Sequence, residues 1–590
     1  MFEDAPAVRP GRPFRALVQY NLPYWPAYLS GAALSAVFVG TELSSPMVIR
    51  SLIDRLGDGA MTMVLLFGYF GALIALAAGS GIARFFQRRI LISASREFEY
   101  DLRNDYFRHV QRLSRDFFNR MKTGDIMARA TNDVGYVRML IGPGVMLSID
   151  MMRLPFTLGL MIYISPVLTG MALLPLPFVS ALVYILVRYT HVQSRRVQDQ
   201  YGEMTARAQE NLSGARVVKA FAIADREVDA FRVESRRYMR EGIKLSVATS
   251  LMWPLIGLVV GLAGLFVLWQ GGSRVIGGSL TLGDLTGFMI YLILLAWPLA
   301  ELGWVVTLYQ RAAVSMDRIA EVLIETPSIR DTDRTRTDIV AVRGSIVFDG
   351  VSFAYGDAPV LHALNFSVRE GETVAITGAT GSGKSTIASL IARECDPTSG
   401  RVLVDGIDAR DIPVNVLRKA IGYAPQDAFF FSDTIRANLC LGRPDAPEEA
   451  IRHACDVARF QETVDALPQG LDTLLGERGV NLSGGQKQRL AVARAVLLDP
   501  RILALDDAFS SVDAHTEEEM LQRLGAFMTR RTSIIISHRV STIRHADAII
   551  VLDKGAIAES GSHEELLERG GLYARMYRRQ LLEEELERRP

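Results

Sequence analysis

The chain of 590 residues has only three cysteines, Cys395, Cys440 and Cys455, all in its second half and without the paired spacing of a metal site. That scarcity argues against a disulfide framework or a zinc centre and fits a reducing compartment. Net charge is missing too: 65 basic residues balance 65 acidic ones, so no overall field draws the chain to nucleic acid. No cleavable signal is recognisable, because the opening MFEDAPAVRPGRPFR is not closely followed by an apolar core. What is abundant is apolar surface. Hydrophobic residues make up 49% of the chain, which is high for a protein that lives wholly in water.

The apolar residues are gathered before residue 325. Apolar runs with at most two charges near Tyr28–Ile49, Met61–Ala83, Met139–Ile164, Ser165–Val187, Leu245–Gly272 and Leu285–Leu308 each approach the roughly 20 residues a helix needs to cross a bilayer. The uncharged stretch from Leu154 to Val187 is too long for one helix, and the ISP inside it supplies a turn. Proline is absent from Arg84–Arg138 and from Arg188–Lys244, and glycine is sparse there. A solvated loop would be richer in both, so these segments read as membrane helices prolonged into rigid hairpin arms. Their tips are expected at Thr123–Met127 and Phe221–Arg226. Both arms carry more Lys and Arg than acids, whereas the short connections Arg50–Ala60 and Ser273–Asp284 are balanced. Basic excess marks the cytoplasmic face, which places both termini and the second half of the chain there.

The second half contains VAITGATGSGKST, an apolar strand running into a glycine loop. From Gly378 through Thr380, Gly381, Ser382, Gly383, Lys384, Ser385 and Thr386 it matches the phosphate-binding pattern G-x-x-x-x-G-K-[ST]. Glycines let backbone N–H groups curl around phosphates, Lys384 reaches the β/γ oxygens, and Ser385 can hold Mg²⁺. Further on, ILALDDAFSSVD is a short apolar run that delivers two carboxylates at its end. Asp506 suits the magnesium-side acid of a P-loop fold, and Asp507 stands where a base could activate water.

At this point the residues carry a family resemblance. LSGGQKQR (Leu482–Arg489) resembles the signature of ATP-binding cassette (ABC) proteins. YAPQD with Gln426 is similar to their Q-loop, SSVD ending in Asp513 to their D-loop, and IISHR to their switch histidine, His538. Tyr355 in FAY matches the aromatic residue that stacks on adenine. GERGVNLSGG (Gly476–Gly485) resembles the exporter variant in which GERG faces the membrane arms, and KTGDIMAR and ENLSGARVVKAF resemble exporter loops. The motifs span nearly the whole chain in the family's order.

The resemblance implies an α-helical membrane domain of six transmembrane helices with long cytoplasmic extensions, fused to an α/β P-loop nucleotide-binding domain. Its divisions would be 1–324 for the membrane domain with two coupling loops, 325–343 for a linker, 344–580 for the nucleotide-binding domain and 581–590 for a charged tail. It implies ATP and Mg²⁺ as cofactors, Asp507, His538 and Gln426 as catalytic residues, and Ser385, Gln426 and Asp506 around the metal. It also implies a second half-transporter, with each ATP held between one P-loop and the Ser483, Gly484, Gly485 and Gln486 of the other half.

One residue departs from the family pattern. Asp507 stands where most members have glutamate, one methylene longer, and a general base must lie within roughly 2.6–3.2 Å of the proton it takes. This resembles the slow-site half of asymmetric exporters, so a heterodimer with a glutamate-bearing partner is expected, with a homodimer as the alternative. The expected function is ATP-driven export of a hydrophobic or amphipathic substrate, drug-like or lipid, across the cytoplasmic membrane. An ATP-gated channel or a regulatory membrane protein that does not pump is the other reading; intact Gln426, His538 and signature favour a motor. Glu42, Asp150, Arg153 and Glu301 fall at membrane depth, where ionisable groups are costly. Asp150 and Arg153, three apart on one helix, are expected to neutralise each other. Met146, Met151, Met152 and Met161 suit an adaptable cavity and suit plain helix packing equally well. No peptidase-like segment precedes the first span.

Overall fold

The computed structural model describes residue 18 and residues 20–59, 61–476 and 479–587. The chain forms two compact units. One comprises Met1–Gln111 and Thr123–Glu325, the other Arg112–Lys122 and Thr326–Pro590.

The first unit is built of helices, most of them long: α1 (Trp25–Gly57), α2 (Met63–Val110), α4 (Thr123–Ile164), the short α5 (Pro166–Leu173), α6 (Leu176–Ser213), the short α7 (Ala215–Ala220), α8 (Ala224–Ile276) and α9 (Leu282–Ile324). Local chemistry sets their starts. Thr62 accepts from Leu65 N ahead of α2, and Thr281 and Asp284 cap each other's backbone ahead of α9. In ISP, Ser165 caps α5 and Pro166 occupies its first turn, so the chain reverses there. Among the described residues α1 (with the short turn before it), α2 and α4 are long and apolar enough to cross a membrane, and Leu282–Leu295 is a shorter apolar stretch. The other expected spans lie in α5, α6 and α8. Helix α2 has 48 residues, about 72 Å at about 1.5 Å per residue, more than twice a hydrocarbon core of about 30 Å. The surplus is arm, as the proline-free sequence predicts.

The arms are braced by charge. Glu99, nearly buried, receives Arg96 at 2.9 Å, Arg103 at 2.7 Å and Arg138 at 3.3 Å. Asp125 on α4 meets Arg129 at 3.0 Å and Arg318 of α9 at 2.6 Å, and Asp133 meets Arg318 at 3.1 Å. These bonds tie Thr123–Ala128 into the first unit. The piece of the first arm that belongs to the second unit is instead the preceding one, Arg112–Lys122, with its short helix α3 (Arg115–Arg120). Arg115 there bonds Glu394 at 2.8 Å and Ser389 at 3.3 Å. The arm's tip thus lies a few residues earlier than expected. The second hairpin turns at Phe221–Ile223, with Ala222 at φ +51°.

Asp150 and Arg153 do not neutralise each other. The helix is interrupted between them at Met151 and Met152, and each finds its partner on another helix. Asp150 pairs with Arg84 of α2 and accepts from Ser35 Oγ at 2.7 Å and Gln87 Nε2 at 3.0 Å. Arg153 turns to Glu42 of α1, at 3.1 Å.

The second unit carries two sheets. An antiparallel sheet has the order β2 (Ala358–Val368), β1 (Ile346–Tyr355), β4 (Ser399–Val404), β5 (Ile407–Asp408). The larger sheet has the order β10 (Ala556–Gly561), β9 (Ala548–Asp553), β3 (Thr373–Gly378), β8 (Thr532–Ile536), β7 (Ile502–Asp506), β6 (Ile421–Ala424), parallel from β9 to β6. Parallel strands covered on both faces read as unbroken apolar runs, and every residue of β7 is buried.

The ionic lock between α2 and α4 is testable. Asp150→Asn leaves Arg84 without its counter-charge in a site where one partner is buried, a loss on the order of 3 kcal/mol for a broken buried pair. The melting temperature of the detergent-solubilised protein should fall, and Arg84→Gln added to Asp150→Asn should recover most of the loss. A double variant no more stable than the single one would refute the pairing.

Candidate functional site

Strand order alone gathers the sequence motifs. In the larger sheet β3, β8, β7 and β6 are consecutive neighbours, and ligands of such open parallel sheets bind beyond the carboxyl ends of the strands. β3 runs into the glycine loop, β8 into His538, β7 into Asp506 and Asp507, and β6 into Gln426. Four separate segments thus open on one edge.

The glycine loop is shaped by positions that only glycine fits. Gly378 has φ +148°, and a Cβ on it would lie 2.2 Å from Leu552 O. Gly383 has φ +94°, and a Cβ there would lie 2.6 Å from a Leu361 methyl. Helix α10 (Lys384–Ile391) begins directly after it, so its free N–H groups face the loop. Lys384 Nζ bends back to the carbonyls of Gly378 at 3.0 Å and Ala379 at 2.9 Å. Burial pulls the Lys384 ammonium below the ordinary lysine range, while Asp507 and Asp506 oppose that shift. Thr386 is buried in the helix and Thr380 and Gly381 are exposed in the loop. Among the described residues, Ser382 Oγ and Thr377 Oγ1 are buried without a hydrogen-bond partner. A cation, an open row of N–H donors and unspent hydroxyls fit a polyphosphate.

Beside the loop, Ser385 Oγ donates to Asp506 Oδ1 at 3.1 Å. Burial raises the Asp506 carboxyl above the usual range, and neighbouring Asp507 raises it further. A buried carboxylate next to a hydroxyl suits Mg²⁺, which commonly takes one or two protein ligands and draws the rest from phosphate and water. No group of three or more His, Cys, Asp or Glu stands ready for a metal among the described residues. Tyr423 closes the same acid from behind, its hydroxyl 3.4 Å from Asp506 Oδ2. The sequence reading missed this tyrosine, although it stands three residues before Gln426 on β6.

Asp507 is held from both sides. Its Oδ1 is 2.9 Å from His538 Nδ1, and its Oδ2 accepts from Gln426 Nε2 at 3.3 Å. Its backbone N–H donates to Ile536 O at 2.8 Å, and its φ is +48°. This left-handed conformation is uncommon for side-chain-bearing residues, with Asp and Asn the best tolerated. The short acid is therefore locally at home here.

The signature lies elsewhere on the unit. Ser483 caps helix α11 (Gly484–Leu497), and Gln486 reaches back to Ser483 N at 2.9 Å. Gly485 lies so close to the D-loop that a Cβ would be 2.8 Å from Ser511 O. No hydrogen bond joins Ser483, Gly484, Gly485 or Gln486 to the glycine loop among the described residues. The structure does not bring the two motifs together within one chain. Tyr355 ends β1 with its ring exposed, edge-on to Phe353 at 4.8 Å. Glu477 and Arg478 of GERG lie outside the described residues. Asp513 caps helix α12 (Ala514–Met528) through Thr516 N at 3.0 Å. The sequence also left unmarked Gln488, which bonds Ser510 Oγ at 2.7 Å and Ser511 N at 2.8 Å, and Arg539, which bonds Ser510 O at 2.9 Å. The two grip the D-loop from α11 and from the switch loop.

Removing the loop's cation should show directly in binding. Lys384→Ala should weaken ATP binding by roughly 10- to 100-fold, the loss of a charged hydrogen bond worth about 1.5–3 kcal/mol. Calorimetry on the purified, melted-and-checked variant decides it, and unchanged affinity would remove Lys384 from the site.

Comparison with known proteins agrees with this geometry. Residues 30–299 match the ABC transporter transmembrane region, and residues 361–510 match the ABC transporter family. The probable multidrug resistance ABC transporter YheI of Bacillus subtilis is 35% identical over 565 residues, 95% of this chain and 96% of that protein. The multidrug resistance-like ATP-binding protein MdlA of Escherichia coli is 34% identical over 583 residues, 98% of each. An ATP-dependent lipid A-core flippase of Chromohalobacter salexigens is 33% identical over 578 residues, 97% of this chain and 98% of that one. Among solved structures, a bacterial Atm1-family ABC exporter with ATP bound superposes with a TM-score of 0.76 at 30% identity, covering 94% of this chain and 99% of the other. A helical membrane unit and an ATP-binding unit with this motif set, in one polypeptide matched end to end, make the chain a member of the ABC transporter family: a membrane exporter whose ATPase is coupled to transport.

Proposed function

We propose that this chain is one half of a dimeric exporter that moves a hydrophobic or amphipathic compound, drug-like or lipid, across the cytoplasmic membrane at the expense of ATP. The observation that carries the reading is the meeting of the glycine loop, Asp506, Asp507, Gln426 and His538 on one sheet edge, in a chain whose other unit has membrane-crossing helices. Relatives named for multidrug resistance and for lipid A-core flipping support the substrate classes. The basic arms support a cytoplasmic placement of the ATPase unit and of both termini.

The bonds at the site support a division of labour among its residues. Lys384 and the N–H groups of α10 hold the phosphates of ATP. Ser385 and Asp506, with Gln426 beside them, are the side chains that would hold Mg²⁺, which when bound supplies positive charge to the transferring phosphoryl group. Asp507 faces the attacking water as base, with Gln426 and His538 fixing its two oxygens. Tyr355 offers its exposed ring to the adenine. Ser483, Gly484, Gly485 and Gln486, at the N-terminus of α11 and remote from this loop, serve the nucleotide of the other half.

Asp507 gives this half its character. Its carboxylate is shorter than glutamate and already engaged by Gln426 and His538, so it reaches less far toward a water on the γ-phosphate. We infer a slow site here, a glutamate at the equivalent position of a different partner half, and a heterodimer in which this site holds ATP while the other turns over. Loss of a well-placed base costs about 10²- to 10⁴-fold. In the assembled transporter Asp507→Asn should therefore leave most ATPase activity, removal of the partner's glutamate should abolish it, and Asp507→Glu should raise hydrolysis by this chain purified alone. ATP-driven accumulation of a fluorescent amphiphile in inverted vesicles measures transport itself. If the chain alone forms a brisk homodimer that Asp507→Asn silences, the aspartate is an ordinary base and the asymmetric reading fails; absence of any uphill uptake sinks the pump.

A further inference from the structure

The switch histidine rides on a loop that is bonded largely to one buried acid. His538 follows the end of β8, and its side chain is 55% exposed beside Asp507. A ring that open is not aimed by packing, so its direction depends on the backbone that carries it. Upstream, Ser537 N donates to Ile376 O at 3.2 Å and ties the loop to β3. Downstream lies the four-residue helix α13 (Val540–Ile543).

Glu517, in the first turn of α12, is 2% exposed. Its Oε2 pairs with Arg539, and its Oε1 accepts from Ser541 Oγ at 3.3 Å and from Thr542 Oγ1. Three of the four residues after His538 are thus bonded through their side chains to a single carboxylate. The fourth, Val540, donates its N–H to Gln580 Oε1 of the C-terminal helix at 2.9 Å. Arg539 also bonds Val512 O at 3.1 Å and Ser510 O at 2.9 Å, so the same acid joins the switch loop to the D-loop. Burying a carboxylate is costly unless it is paired and hydrogen-bonded, and a packed apolar group in place of such a pair is often no less stable. What the acid adds is direction, because each of its oxygens fixes a different part of the loop.

We propose that Glu517 is a positioning residue for ATP hydrolysis, holding Arg539–Thr542 so that His538 Nδ1 stays 2.9 Å from Asp507 Oδ1. It acts through the histidine and not on the nucleotide. The proposal rests on the reading that His538 and Asp507 work together at the site. Glu517→Gln is the informative variant. It keeps the size, and the hydroxyls of Ser541 and Thr542 can turn to accept from the new amide, so what is lost is the charge facing Arg539.

Single-turnover hydrolysis of γ-labelled ATP, with the purified full chain in nanodiscs in excess over nucleotide, reads this site without a partner half. Glu517→Gln should slow hydrolysis by about tenfold or more, the scale of one lost charged hydrogen bond. ATP affinity should stay within about twofold, because the phosphate loop follows a different strand. Added to His538→Ala, the same change should cost less than about twofold further, since the ring it aims is already gone. Amide hydrogen exchange should rise in peptides covering 537–543 and stay unchanged over the glycine loop. An unchanged rate, equal losses of rate and affinity, losses that add fully to those of His538→Ala, or unaltered exchange at 537–543 each overturn the proposal. Ser541→Ala with Thr542→Val, which empties Oε1 and leaves the charge pair, should slow hydrolysis in the same direction and serves if Glu517→Gln does not fold. Exchange decides where hydrolysis falls below detection. Full-speed hydrolysis by His538→Ala removes the histidine from the site, whereas loss in that variant without loss in Glu517→Gln removes only the glutamate.

Discussion

The register of one parallel sheet governs the ATP-binding unit. Ile376 of β3 lies opposite Ile536 of β8, Ile536 lies opposite Asp506 of β7, and Ala424 of β6 lies opposite Leu505. These pairings bring the strands to their carboxyl ends at one level. A slip of one residue in a strand would turn its side chains to the opposite face. The slip would bury Asp506 on the wrong side and carry the switch histidine away from Asp507. Close packing resists that slip, since every residue of β7 and of β8 is buried and a shifted strand would set side chains of the wrong size against both faces. Hiding from water and aligning the catalytic groups are therefore achieved by the same residues.

The membrane unit uses charge where the other uses register. Its helices are joined at depth by ion pairs between distant parts of the chain, Arg84 with Asp150 and Arg153 with Glu42, and in the arms by Glu99, Asp125 and Asp133 with their arginines. Such pairs are weak evidence of stability, because desolvation offsets much of their attraction. They are directional, however, and fix which face of one helix meets which face of the next. Close packing of small residues also orients helices in lipid, and the ion pairs add fixed partners to it.

Much of the ATP site was legible in the sequence because its motifs are local demands on the backbone. Gly378 and Gly383 are required by their own φ angles and by atoms that would strike a Cβ, and the four aliphatic residues Ile502 to Leu505 make a buried strand that ends on its carboxylate. Residues that act through distant bonds left no such mark. Tyr423, Gln488 and Arg539 carry ordinary local signals, and their roles appear only when the strands stand side by side. The intramembrane charges were misread for the same reason. Spacing of three along a helix suggested that Asp150 and Arg153 face each other, but the helix is interrupted between them and the true partners are far away in the chain. The segment Arg112–Lys122 is likewise joined to the second unit by a glutamate far away in the chain, Glu394.

That last contact has an evolutionary consequence. The unit that contains the ATPase is not one continuous stretch: residues 112–122 are lent to it from within the first half of the sequence, and the chain passes between the units three times. Recombination at a single junction near residue 325 would therefore not exchange the whole of the second compact unit. It would leave a foreign segment against Glu394 and Ser389, where Arg115 now sits. A chimera joined there keeps the Arg115 contacts only if residues 112–122 come from the same parent as Glu394 and Ser389.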